Sequence, residues 1–129
     1  MRLFVADVSG WSELTDGGLS AVRVDATDLQ RARRTRAQIR TSAPDVAVIL
    51  DVTVAVAAVF RSARMDLEPV DGVHYAGTVD GLAGLIADIE TAEVADGVTL
   101  IPVSPQQDPR VLGRDVLRRL AARRQPRAS

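Results

Sequence analysis

Three runs of this chain are apolar almost without interruption: Leu3 to Val8, Val46 to Leu50 and Val98 to Val103. A strand that does not alternate apolar and polar residues is covered on both faces, the condition of strands in parallel sheets. Between and after these runs lie segments of helical length. Strand, helix, strand, helix, helix, strand, helix is the expected order, and alternation of this kind builds a parallel sheet joined by crossover helices. One α/β domain spanning residues 1–129 is therefore expected, with about three parallel strands and covering helices. Aromatic residues are only 3% of the chain, so Val, Leu, Ile and Ala must fill its core.

The helices are read from caps and periodicity. Asp25 or Thr27 starts the first, which runs to about Ser42 and is closed by Pro44. Leu29, Ala32, Ala37 and Ile39 form its apolar stripe among Arg31, Arg33, Arg34, Arg36 and Arg40. Thr53 is expected to cap a second, Ala-rich helix from Val54 to Leu67. Thr78 caps a third, to about Glu93, with Leu82, Leu85, Ile86 and Ile89 inward. Asp108-Pro109 opens a fourth, with Val111, Leu112, Val116, Leu117 and Leu120 on its buried face. Residues Ser9 to Asp25 are expected as a loop, Val73 to Gly77 as an extended linker, and Asp96-Gly97 as a turn.

Composition removes several chemistries. There is no Cys, so disulfides, thiolate metal sites and a Cys nucleophile are excluded. All 16 basic residues are Arg, which excludes Schiff-base and phosphate-loop lysines. The net charge of −1 gives no field that would recruit nucleic acid or an acidic membrane. The stretch Val46 to Phe60 is broken by Asp51 and Thr53 and is too short to span a bilayer. The N-terminus reads as a strand and not a signal peptide. The absence of Cys fits a cytoplasmic setting, which is the expectation.

Several segments resemble the luciferase-like monooxygenase family. Leu3-Phe4-Val5-Ala6-Asp7 is similar to the strand after its A-D-V-V-F region. Val48 to Ala57, followed by Arg61-Ser62-Ala63-Arg64-Met65-Asp66, resembles its seventh strand and helix. Ala76-Gly77-Thr78-Val79-Asp80-Gly81-Leu82-Ala83-Gly84-Leu85-Ile86 looks like the G-T-P-x-x-L-A-x-L-L helix start. Asp96-Gly97-Val98-Thr99-Leu100-Ile101-Pro102 is similar to the D-G-F-x-L-x-P strand before the closing helix. The resemblance implies a partial (β/α)8 barrel corresponding to its C-terminal third, since a full barrel has eight strands and about 250 residues. It also implies a relative of oxidoreductases that use flavin mononucleotide or a deazaflavin. Such a chain is expected to be inactive or partner-dependent alone. Three strands leave open edges, so a second copy or a complementary barrel fragment is expected as partner.

In a barrel the chemistry lies on loops after the strands, here Asp7, Ser9, Trp11, Asp51, Thr53, Pro102 and Ser104. On the resemblance, Asp7 and Ser9 face a flavin phosphate or ring edge and Trp11 stacks on the isoalloxazine. The structural alternatives are a strand-end turn for Asp7 and Ser9, packing for Trp11, and helix capping for Asp51 and Thr53. No catalytic residue and no metal ligand set can be assigned. His74 has no chelating companion, and the Arg31–Arg40 face lacks the interleaved aromatic residues of a nucleic-acid platform. The alternative to an oxidoreductase relative is a small α/β binding or interaction module without redox chemistry.

Overall fold

A computed structural model describes residues 1–7, 10–18, 20–56, 72–104 and 107–124. Six strands and three helices are present among them: β1 Arg2–Asp7, β2 Gly10–Glu13, β3 Ala21–Val24, α1 Leu29–Ser42, β4 Ala47–Val56, β5 His74–Gly77, α2 Val79–Thr91, β6 Gly97–Pro102 and α3 Pro109–Arg124. The three apolar runs are β1, β4 and β6, and they lie side by side and parallel.

Their spatial order is β2-β1-β6-β4-β3, with β5 also on β4. The last strand therefore sits between the first and the middle one. Successive staves of a (β/α)8 cylinder would run in chain order. The β1–β6 pairing is instead the neighbour relation that a cylinder makes where its last strand meets its first. In space the three runs therefore follow the order β1-β6-β4 and not their order in the chain.

Three segments depart from expectation. Within Ser9 to Asp25, β2 folds back antiparallel on β1, pairing Ala6 with Trp11 and Phe4 with Glu13. Further along, β3 pairs parallel with the first half of β4, Ala21 against Ala47 through Val24 against Leu50. The linker at residue 74 is β5, parallel to the second half of β4. The expected helix from Val54 is strand as far as Val56. Asp51 and Thr53 alternate with Val52, Val54 and Val56, so the period is two, and the Val side chains face the core while the polar ones face the other way. Thr53 is accordingly no helix cap. The remainder of that expected helix, from residue 57, lies outside the described residues.

Cap chemistry sets the helix starts. Asp28, not Asp25 or Thr27, caps α1, accepting the Arg31 N–H at 2.8 Å. Thr78 caps α2 by accepting from Gly81 N–H at 3.2 Å. Asp108 accepts from Arg110 N–H at 2.9 Å at the start of α3. In α3, Leu112, Val116 and Leu120 are buried, whereas Val111 is exposed.

All three helices cover one face of the sheet. Leu3, Val5, Leu50, Val52, Val54, Val98 and Leu100 meet Leu82, Ile86, Ile89, Leu112 and Val116 there in one continuous core. The opposite face, which no described helix covers, holds a smaller cluster of Phe4, Ala47 and Ile49 with Ala21 against it. A flat sheet would hold β2 and β3 about 19 Å apart, four strand spacings. Yet the guanidinium of Arg23 on β3 lies 6.0 Å from the ring of Trp11 on β2. The sheet is therefore curled into a half-barrel, and its concave face is filled by its own side chains. Ile49 and Thr99 are fully buried on that face, with no described helix above them.

Candidate functional site

At the C-terminal ends of β1 and β6 the curl leaves a cleft of about 970 Å³. Its position agrees with the rule that α/β sheets place ligands beyond the carboxyl ends of their strands. Asp7, Trp11, Pro102 and Ser104, four of the rim residues expected from sequence, line it. Ser9 lies outside the described residues. Asp51 enters indirectly, through its ion pair with the lining residue Arg23. Thr53 pairs in register with His74 within the sheet.

Trp11 is the centre of the site, and the structure shows the packing role weighed for it. Its ring stacks on Phe4 with centroids 4.4 Å apart and planes 10° from parallel. Its indole N–H donates to the Thr99 hydroxyl at 2.8 Å. A stacked, hydrogen-bonded Trp is rigid, and this one is still 37% exposed. It presents an oriented aromatic surface to the cleft. Replacing Thr99 with Val keeps the shape but leaves the indole N–H unpaired. The expected result is a loss of about 1 kcal/mol in urea unfolding, together with a changed near-ultraviolet circular dichroism band from Trp11.

Arg23, Gln107, Asp108 and Arg110 complete the polar lining among the described residues. Arg23 donates through Nε to Asp51 Oδ1 at 2.7 Å. Arg110 reaches Ser12 Oγ with Nη2 at 3.2 Å, while its backbone N–H is held by Asp108. Sequence reading missed Arg23 and Arg110 because each depends on neighbours remote in the chain. The alternation Ala21-Val22-Arg23-Val24 was the available signal, since it places Arg23 with Ala21 on the face opposite Val22 and Val24.

The remaining candidates lie elsewhere. His74 Nδ1 contacts Gly72 O at 3.1 Å on an exposed segment and does not line the cleft. The basic face of α1 is partly structural: Arg36 and Arg40 both donate to Asp96 Oδ1, at 3.0 and 2.7 Å. On β1 and β2, Arg2 grips both oxygens of Glu13, at 2.9 and 2.7 Å. That bond holds the Glu13 carboxyl below its usual range and raises Arg2. Among the described residues no three His, Asp or Glu side chains converge as a metal site. No helix among them is long and apolar enough to cross a membrane.

No family model matches the chain, and no curated protein matches it. A solved structure does: EDTA monooxygenase (EmoA) from Chelativorans sp. BNC1, with a TM-score of 0.65 and 13% identity. The match covers 81% of this chain and 40% of that one. At that identity the likeness is one of fold, and this chain therefore shares its half-barrel α/β architecture with two fifths of a monooxygenase.

Proposed function

We propose that this chain is a luciferase-like oxidoreductase relative whose cleft seats a flavin mononucleotide or deazaflavin, and that catalysis requires a second copy or a complementary fragment. The observation that carries this reading is Trp11, an oriented and partly exposed aromatic surface at the C-terminal rim of parallel strands. The cleft's volume is that of a small-molecule site. Its residues suit the cofactor: Trp11 offers ring contact, while Arg23 and Arg110 offer donors to a phosphate or a ring carbonyl. The bound cofactor would supply hydride transfer or oxygen chemistry. The chain's own residues bind it, orient it and shield one side from water.

Because Trp11 is the single Trp, its emission reports the site directly. Titration with flavin mononucleotide and with a deazaflavin is expected to quench it saturably and to raise the thermal midpoint. Absence of quenching with both ligands overturns the cofactor reading. Sedimentation tests the partner requirement, with self-association as the expected result. A non-enzymatic binding module is the second reading. The filled concave face favours it, since Phe4, Ile49 and Thr99 are buried by the described strands themselves.

A further inference from the structure

We propose that Arg23 is the anion-recognition residue of the cleft, which exchanges its bond to Asp51 for a carboxylate or phosphate on a planar aromatic ligand held against Trp11. This deepens the reading above and rests on the cleft being a ligand site, though not on the ligand being a flavin.

Three observations converge. Arg23 is held over the Trp11 ring by the curl of the sheet, with its guanidinium carbon 6.0 Å from the ring centroid. It lines the cleft that Trp11 also lines. Its contact with Asp51 is made through Nε alone, on one carboxylate oxygen. A guanidinium carries five N–H donors in a planar fork, so a single Nε bond to protein leaves the fork's outer donors for an incoming anion. The Arg23 side chain is 38% exposed, against 17% for Asp51, so the cationic partner is the one a ligand meets. Apolar contact and charge then act together: an aromatic ring meets the exposed part of Trp11 while its anionic substituent reaches Arg23.

The other charges near the cleft are placed differently from Arg23. Asp108 is engaged as the cap of α3, accepting backbone N–H groups from Arg110 and Val111. Arg110 sits across the cleft at the start of α3, bonded to Ser12. At Arg23 an incoming anion competes with Asp51. Removing that competitor should strengthen binding, which a merely structural ion pair would not do.

The test uses 2-naphthoate and its neutral isostere 2-naphthamide, with binding read by calorimetry at constant ionic strength. The parent protein is expected to prefer the acid by about tenfold. Arg23→Gln is expected to bring that ratio close to one while leaving the amide's affinity unchanged. Arg23→Lys keeps part of the preference, and Asp51→Asn increases it. Should Arg23→Gln fail to fold, inorganic phosphate provides the second measurement, since it should displace the acid from the parent protein and not the amide. Equal affinity for the two probes in the parent, or a preference that survives in Arg23→Gln, overturns the assignment. Acid preference that depends on Arg23, with no binding of flavin mononucleotide or deazaflavin, sinks the cofactor reading and leaves this one standing.

Discussion

Replacing Asp96 with Ala is expected to cost about 3 kcal/mol of folding stability in urea unfolding. One Asp96 oxygen receives Arg36 Nε and Nη2 and Arg40 Nη2, while the other accepts the backbone N–H of Val48 at 2.8 Å. The carboxylate therefore ties α1 to the first residues of β4 at the end of the sheet opposite the cleft. Without it two guanidinium groups face each other across a partly buried space. Arg40 Nε already has no acceptor among the described residues, so that side chain would keep only Pro44 O. Asp96→Asn retains an acceptor for Val48 and should cost about half as much, which separates charge from hydrogen bonding.

The same group sets an acid limb. Burial acts to raise the Asp96 pKa, but the Val48 N–H and the Arg36 and Arg40 charges outweigh it and hold the carboxyl below its usual range. The folded form thus binds its proton less readily than the unfolded chain does. This stabilisation is fully present above the unfolded value of about 3.9 and is lost as pH falls through the lower folded value. Glu13, lowered by Arg2, adds to the same limb. Thermal midpoints of the parent should therefore fall steeply below about pH 4, and those of Asp96→Ala less steeply. Equal slopes would show that Asp96 does not drive the transition.

How far the sequence discloses this molecule depends on which interactions are local. The capping of α2 and α3 by Thr78 and Asp108, and the three apolar runs as parallel strands, follow from neighbouring residues and were legible. The two short strands β2 and β3 were not. Trp11 and Arg23 lie in four-residue segments whose strand character comes from pairing with β1 and β4, far away in the chain. β4 was cut short because Asp51 and Thr53 resemble a helix start, although they also fit period-two alternation. The site shows the same division. Asp7, Trp11, Pro102 and Ser104 were named as residues of the loops after strands and do line the cleft, whereas Arg23 reaches it only because the sheet curls. Asp96-Gly97 carries the plainest loss of information: a dipeptide that signals a turn holds both the ion-pair hub and the tightest strand contact.

That contact yields the second large expectation. Gly97→Val should destabilise the protein by about 3 kcal/mol, and Gly97→Ala by somewhat less. Gly97 opens β6 between Arg2 of β1 and Ile49 of β4, its register partners on either side. A Cβ at this position would lie 2.5 Å from the backbone oxygen of Arg2 and 2.8 Å from Ile49 Cδ1. The first is a main-chain atom held by the sheet and unable to rotate away, and the second belongs to a fully buried side chain on the concave face. Relief requires β1 and β6 to separate at their N-terminal ends, which displaces Arg2 and loosens its grip on Glu13. Gly18 provides the control, because a Cβ there meets nothing within 4 Å and Gly18→Ala should be nearly neutral. The concave packing of Phe4 and Ile49 supports the Trp11 stack, so the Gly97 variants should also shift Trp11 emission to the red before global unfolding. A Gly97→Val protein with unchanged stability and emission would mean that the curl does not depend on close approach at this position, and that Trp11 and Arg23 are brought together by other means.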